Sequence, residues 1–96
     1  MRLTVDRVLG PILTYDDEHG TDLHLTLSVF LTLDRNYKLA ASHLGIHRQT
    51  LVYRLKRVEE LTAHSLASTR DLCELWLAVR AHAALAVAEG LPQLRS

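Results

Sequence analysis

The sequence predicts an all-α protein, a small bundle of four or five helices. Leu and Ala supply much of a hydrophobic content of 48%, whereas β-branched and aromatic residues are few. This balance favours helix over sheet. Apolar residues recur at helical spacing through most of the chain. Ninety-six residues suffice for one small domain, so we expect residues 1–96 to share a single fold.

An apolar stripe in residues 1–13 predicts a first helical segment, which Pro11 limits. Because proline lacks an amide hydrogen and crowds the preceding turn, we expect one or two turns of helix, interrupted or kinked around Gly10 and Pro11. The polar run from Tyr15 to Gly20 predicts a loop.

A second helix is expected between Thr21 and about Asp34. Thr21 is its predicted N-cap, and Asp22 lies at the positive end of the helix dipole. The predicted buried face consists of Leu23, Leu27, Phe30 and Leu31.

Residues 36–62 predict two further helices that meet at a tight turn. Asn36 is a suitable N-cap for residues 37–44, and Gly45 follows where the backbone must enter the left-handed region. Ile46 is expected to fill the angle between the helices, and the longer helix begins near His47 or Arg48. Two helices joined by a short turn containing glycine form a helix-turn-helix, whose usual role is to contact the DNA major groove.

The charge distribution supports a role in nucleic-acid binding. The whole chain is balanced, with 11 basic and 11 acidic residues, yet residues 35–57 contain no Asp or Glu. The basic residues of this stretch are Arg35, Lys38, Arg48, Arg54, Lys56 and Arg57. A local basic patch is what neutralises DNA phosphates, although a charged face can also simply keep a surface helix solvated.

The longer helix has one face for the core and another for a ligand. Leu51, Leu55 and Val58 point inward on a helical wheel. The predicted contacts to base edges are Arg48, Gln49, His47, Val52 and Tyr53, because Arg and Gln match guanine and adenine in the major groove. The predicted contacts to phosphate are Lys38, Thr50, Arg54, Lys56 and Arg57.

Three of these residues have a structural alternative. His47 has the position of a helix cap. The ring of Tyr53 is able to pack on a neighbouring helix. Arg54 borders the core face, and its structural alternative is an ion pair with an acidic residue of the domain.

A last helix is expected over residues 68–89, where it serves for packing or dimerisation. Ser68 or Thr69 is the predicted cap, Asp71 lies in the first turn, and Gly90 and Pro92 end the helix. Its predicted inner residues are Leu72, Leu75, Trp76, Val79, Ala83, and Leu85 or Ala86. Further apolar residues lie on other sides, which is typical of a helix that buries a second face against another molecule.

Catalysis, metal binding and a cofactor find little support in the sequence. The single cysteine, Cys73, excludes an intrachain disulfide and fits a reducing compartment. His43 and His47 lie on either side of Gly45 and share no helical face, so they lack the convergence that zinc requires. No signal peptide or membrane-spanning run is evident. We therefore expect a cytoplasmic protein that is not an enzyme.

Residues 47–62 and an upstream segment carry a family resemblance. The pattern HRQTLVYRLKRVEELT from His47 to Thr62, together with Tyr15-Asp16-x-x-His19-Gly20-Thr21-Asp22-Leu23, resembles the C-terminal helix-turn-helix domain of the purine-catabolism and sugar-diacid regulators (the PucR and CdaR type). That domain is similar to the DNA-binding end of Fis-like proteins. The resemblance covers roughly residues 9 to 85. Three positions depart from the family pattern: Arg35 and Ala63 replace common glycines, and Gln49 replaces a frequent asparagine.

The resemblance implies a bacterial transcription regulator associated with the nucleoid. It implies binding of this domain to double-stranded operator DNA, a homodimer, and a sensor domain N-terminal to this segment in a longer protein. A function of another class remains open, namely a helical dimerisation or protein-docking module whose basic helix faces an acidic partner.

Overall fold

Five helices follow one another in the computed structural model, which describes residues 2–89 and the side chains from residue 5 onward. They are α1 (Arg2–His19), α2 (Leu23–Thr32), α3 (Tyr37–Leu44), α4 (Arg48–Thr62) and α5 (Thr69–Ala88). The described residues contain no strand, and the prediction of a small all-α bundle is confirmed. None of the described helices is both long and apolar enough to cross a membrane.

Helix α1 runs unbroken through Pro11 to His19, so the predicted interruption and the predicted loop at residues 15–20 are both wrong. Val5, Val8, Leu9 and Ile12 are buried on one side of the helix, while Pro11 faces solvent. A proline inside a helix costs about 3 kcal/mol. Burying four large aliphatic side chains outweighs that cost, at roughly 1.5–3 kcal/mol each.

Asp16 of α1 caps helix α2 from outside. Its Oδ1 accepts a hydrogen bond from the Leu23 amide at 2.8 Å, and its Oδ2 accepts one from the His24 amide at 2.9 Å. The Thr21 hydroxyl also donates to Oδ1. The predicted cap at Thr21 is therefore wrong: Asp22 has the N-cap position without a side-chain cap. Asp16, which was predicted to lie in a polar loop, thus accepts hydrogen bonds from the first amides of α2.

Among the described residues, three that are not glycine have left-handed backbone conformations, and two of them, Arg35 and Ala63, stand where the family pattern that the sequence resembles commonly has glycine. Asp34 and Arg35 (φ 62° and 60°) form the turn after α2, which ends at Thr32 rather than near Asp34. Ala63 (φ 56°) follows the last residue of α4. The turns thus keep a conformation that suits glycine, at a cost of roughly 1–2 kcal/mol for each residue with a Cβ.

Two buried clusters form the core, and α2 and α4 contribute to both. The first joins α1, α2, α4 and α5 around Leu9, Ile12, Leu27, Val58 and Leu75. The second lies among α2, α3 and α4 and contains Phe30, Ala40, Ala41, Leu51 and Leu55. The helix-turn-helix therefore has an apolar centre of its own, which fixes the angle between α3 and α4.

Helix α5 begins as predicted: the Ser68 hydroxyl accepts from the Asp71 amide at 3.2 Å. The predicted inner residues Leu75 and Val79 are buried, but Trp76 is 38% exposed and Ala83 is exposed. The predictions for Trp76 and Ala83 were wrong. Each of these residues comes one position after a residue on the inner side of α5, Leu75 and His82, and one position turns a helical side chain by roughly 100°. Gly90 and Pro92 lie outside the described residues.

His64 fixes the corner between α4 and α5. Its Nδ1 lies 2.6 Å from the Thr62 carbonyl, and its Nε2 lies 2.8 Å from Glu74 Oε1. Partial burial lowers the pKa of His64, but the hydrogen bonds to Thr62 and Glu74 and the charge of Asp71 outweigh it, so the pKa is raised. Donor atoms of His64, Asp71 and Glu74 lie within 4.8 Å of one another. The two ring nitrogens are already engaged, so the cluster holds the loop.

His24 and His82 join α2 to α5. Their ring centroids are 4.8 Å apart in an edge-on arrangement, and His24 Nε2 is buried with no hydrogen-bond partner among the described residues. Desolvation and the neighbouring His82 lower the pKa of His24, although Asp16 acts in the opposite direction. The neutral form of His24 is therefore favoured at this contact.

Candidate nucleic-acid interface

The turn between α3 and α4 has the geometry predicted for a helix-turn-helix. Asn36 Oδ1 accepts from the Leu39 amide at 2.9 Å and caps α3. Gly45 ends this helix with φ 69°. Apart from Gly45 and its two chain neighbours, no atom of the described residues lies within 4 Å of the position of a Cβ on Gly45, so its backbone conformation, not lack of space, favours glycine. Ile46 is half-buried and packs on the second cluster, as expected for a residue inside the angle.

His47 caps the longer helix. It has extended backbone (φ −71°, ψ 148°), and its Nδ1 accepts from the Gln49 amide at 3.2 Å. His47 therefore serves as the helix cap that was the structural alternative to a contact with DNA. An Nδ1 that accepts requires the neutral ring to carry its proton on Nε2, which leaves that N–H as a donor to an external acceptor.

The inner and outer faces of α4 are cleanly separated. Leu51, Leu55 and Val58 are at most 3% exposed. Val52 and Tyr53 are 41% and 62% exposed. Gln49, Thr50 and Lys56 are also exposed, so the ring of Tyr53 is not packed inside the bundle. A ligand could therefore contact all of these exposed side chains without any repacking of the core.

Arg48 lies at the start of α4 and is held by an aromatic pair. Its guanidinium carbon is 5.1 Å from the centre of the Tyr37 ring, and that ring meets Phe30 edge-on at 5.0 Å. A cation over an aromatic face is attracted by the ring quadrupole. Tyr37, the first residue of α3, thus orients Arg48. This role was not predicted from the sequence, because nothing in the spacing of the two residues predicts their contact.

Arg54 is half-buried and ties α4 to α2. Its Nη1 donates to Thr26 Oγ1 at 3.3 Å, and the Thr26 hydroxyl donates to the Asp22 carbonyl at 2.8 Å. Thr26 itself is fully buried. Arg54 therefore bonds a threonine hydroxyl and not the acidic residue that was the structural alternative. Part of the guanidinium remains free for other acceptors.

Arg57 lies between two tyrosines. Its Nη2 donates to the Tyr53 hydroxyl at 3.1 Å, and its guanidinium carbon is 5.8 Å from the centres of the Tyr15 and Tyr53 rings. The bond to Tyr53 is the largest cause that raises the pKa of Arg57 above its usual value. The contact of Tyr15 with α4 was not predicted from the sequence either, because residues 15–20 were expected to form a loop.

The acidic residues that follow this basic stretch are already engaged. Glu60 Oε1 pairs with Arg57 Nη1 at 3.4 Å, and Glu59 Oε2 accepts from the Leu66 amide at 2.7 Å. Lys38, Arg48 and Lys56 are exposed. Within α4 itself the start and middle are therefore cationic, and carboxylates begin only at its far end. The exposed Asp22 of the neighbouring helix end lines the same groove as Thr50 and Arg54.

Comparison with known proteins agrees with this geometry. The family described as the PucR C-terminal helix-turn-helix domain matches residues 23–81. The transcriptional activator PmfR of Paenarthrobacter nicotinovorans is 48% identical over 77 residues, which are 80% of this chain and 16% of that protein. The proline-responsive transcriptional activator PutR of Bacillus subtilis is 40% identical over 62 residues, 65% of this chain and 15% of that protein.

A third relative is the purine catabolism regulatory protein of B. subtilis, 40% identical over 55 residues, which are 57% of this chain and 10% of that protein. No solved structure matches. The chain spans about a sixth of the length of the relatives PmfR and PutR. The matched region contains α2, α3, α4 and part of α5. This chain belongs to the family of PucR C-terminal helix-turn-helix domains.

Proposed function

We propose that this domain binds a specific operator sequence of a bacterial transcription regulator by placing the start of α4 in the major groove. The observation that carries the proposal is the outer face of α4. Behind a left-handed Gly45 corner, it presents exposed polar and basic groups and keeps its leucines in the core. Family membership supports DNA binding in general. The groove and the contacts are inferred from the position of each side chain.

The N-terminal turn of α4 supplies the contacts to bases. Arg48 and Gln49 have the side-chain geometry for guanine and adenine, and His47 offers its Nε2–H to an acceptor. Val52 and Tyr53 lie one turn further along and are exposed, so they contact a thymine methyl or a sugar. The Tyr37 ring under Arg48 reduces the entropy that this side chain loses on binding.

Phosphate contacts surround this turn. Lys38, Thr50 and Lys56 are exposed, and Thr50 and Lys56 line the grooves on the two flanks of α4. Arg57 is held by two tyrosines. Arg54 contributes with the guanidinium edge that Thr26 leaves free. Such contacts fix the register on the duplex and carry no sequence information. In the longer regulator, a sensor domain N-terminal to this segment controls the binding, and the protein acts at the nucleoid in the cytoplasm.

The test compares two substitutions on DNA. An operator is first selected from a random duplex library, and affinity for operator and for random DNA is then measured over a salt series. Arg48→Ala is expected to weaken operator binding by about 1–3 kcal/mol while it changes binding to random DNA much less. Lys38→Ala is expected to weaken both together and to lower the salt slope by about one. Arg7→Ala, an exposed cation on α1, is the matched control and should change neither.

The proposal fails if no sequence is preferred over random DNA, or if Arg48→Ala leaves the ratio of specific to nonspecific affinity unchanged. A protein-docking module that used α4 against an acidic partner would give the first of these results. It would also lack the steep loss of affinity with salt that counterion release produces.

A further inference from the structure

Arg35 has a backbone conformation that suits glycine. It lies in the turn between α2 and α3 with φ 60°, and its amide donates to the Phe30 carbonyl at 2.7 Å. Because Phe30 is buried in the core, this hydrogen bond fixes the position from which the Arg35 side chain extends. A residue with a Cβ is strained in the left-handed region, so an arginine makes this turn less stable than a glycine would.

Nothing within the described part of the domain offsets that strain. The Arg35 side chain is exposed, and among the described residues no hydrogen bond, ion pair or aromatic ring engages its guanidinium. The guanidinium groups of Arg48, Arg54 and Arg57, in contrast, are each held by a partner. The charge of Arg35 is therefore available to a ligand.

Arg35 borders a groove between the α2–α3 turn and α4. Val52 and Lys56, two exposed residues of α4, line the same groove. Glu59 lines it as well, but one of its carboxylate oxygens already accepts from a backbone amide. The neighbouring Asp34 instead lines a second groove, between α2 and α5, which Arg35 also borders. Arg35 and Lys56 thus bring two cations to one flank of α4, against a single carboxylate that is already engaged.

The other flank of α4 has cations of its own, since Arg54 and Arg57 line the groove on that side. A helix in the major groove, which is roughly 12 Å wide, runs between the two sugar-phosphate backbones. The two flanks of α4 therefore face different strands of the duplex. Helix α3 begins two residues after Arg35, and the positive end of its dipole adds to the attraction of a phosphate at this turn.

We propose that Arg35 is a further phosphate contact of this domain, made to the DNA strand that runs along the flank of α4 shared with Lys56. This contact rests on the DNA binding proposed above and adds to it a residue from outside the helix-turn-helix. The arginine lowers the stability of the turn and in exchange strengthens the attraction to the duplex. Members of the family with glycine at this position cannot make the contact.

The charge of Arg35 is tested by Arg35→Gln, which keeps the Cβ. Affinity for random duplex DNA is measured from about 50 to about 200 mM salt, where each phosphate contact contributes about 0.9 to the slope of log affinity against log salt. The natural chain should therefore lose about three- to fourfold more affinity over this range than Arg35→Gln does. Arg35→Lys should keep the natural slope. Arg7→Gln, at an exposed cation of α1, is the matched control and should keep it too.

The substitution Arg35→Gly separates binding from stability. It should raise the urea midpoint, because glycine has no Cβ to strain in the left-handed region, and it should lower the salt slope as much as Arg35→Gln does. Ala63→Gly is the matched control, because Ala63 also has a left-handed backbone (φ 56°) and carries no charge. It should raise the midpoint and leave the slope unchanged.

Three outcomes would overturn the contact. A natural salt slope in Arg35→Gln beside a lowered slope in Lys38→Ala would exclude Arg35 and leave the proposed function intact. Equal losses in Arg35→Gln and Arg7→Gln would show that any exposed cation has the same effect. A lower urea midpoint in Arg35→Gly would show that the arginine stabilises its turn. Absence of DNA binding by the natural chain would overturn the proposed function itself and this contact with it.

Discussion

Substitution of Asp16 by Ala should destabilise the domain far more than any other change at an acidic residue of its segment. The carboxylate accepts from the amides of Leu23 and His24 and from the Thr21 hydroxyl. Hydrogen bonds to a charged acceptor contribute about 1.5–3 kcal/mol each when buried, but Asp16 is only half-buried and water replaces part of the loss. Loss of a helix cap costs about 0.5–2 kcal/mol. We therefore expect the free energy of unfolding to fall by about 2 kcal/mol.

Urea and thermal denaturation at one protein concentration provide the assay. For a domain of this size, 2 kcal/mol corresponds to a decrease in Tm of about 8–16 °C. Asp17→Ala and Asp22→Ala are the matched controls, because Asp17 is exposed and Asp22 makes no side-chain cap. Both should change stability by less than about 0.5 kcal/mol. An Asp16 variant as stable as these controls would refute the idea that α1 caps α2 in solution.

Three further predictions concern stability. Ala63→Gly should raise the free energy of unfolding by about 0.5–1 kcal/mol, since it removes the Cβ from a left-handed residue; an unchanged or lower urea midpoint would contradict the strain argument. His64 has a raised pKa, so the stability it contributes is complete below its unfolded pKa of about 6.5 and is lost as the pH rises through the folded value. Urea titrations from about pH 6 to pH 9 should show this alkaline loss in the natural chain and a flatter profile in His64→Gln. His24 has a lowered pKa, so its contribution is complete above about pH 6.5 and declines as the pH falls toward the folded value. An acid limb equally steep in His24→Gln would exclude His24 as its cause.

The helix-turn-helix was predictable because its signals are local. A cap at Asn36, a glycine where the backbone turns left-handed, and leucines at helical spacing all act within one or two turns of chain. The structure confirms each of them. The first helix was not predictable in the same way: Pro11 and the polar residues 15–20 disfavour a helix locally, yet the burial of Leu9 and Ile12 against other helices determines the outcome.

The candidate site shows the same division between local and long-range information. The outward direction of Gln49 and Tyr53 follows from the period of the helix. The partners of Arg48, Arg54 and Arg57 come from α3, α2 and α1, at separations that leave no periodic signal. Contacts between elements depend on how the helices cross, so only the folded chain brings Tyr37 or Tyr15 to the interface.

The amino-acid sequence alone determined that this protein is helical, that its cationic stretch lies on one helix behind a glycine corner, and which family it resembles. These properties depend on residue type and short-range spacing, which hydrogen bonding along a helix and the helical period convert directly into structure. The tertiary structure decided that Asp16 serves as the cap of α2, that histidines join α2 to α5 and fix the α4–α5 corner, and that Trp76 lies on the outer side of α5. The reason is that burial and pairing belong to surfaces assembled from distant segments, and their free energies exceed the local preferences of any single residue.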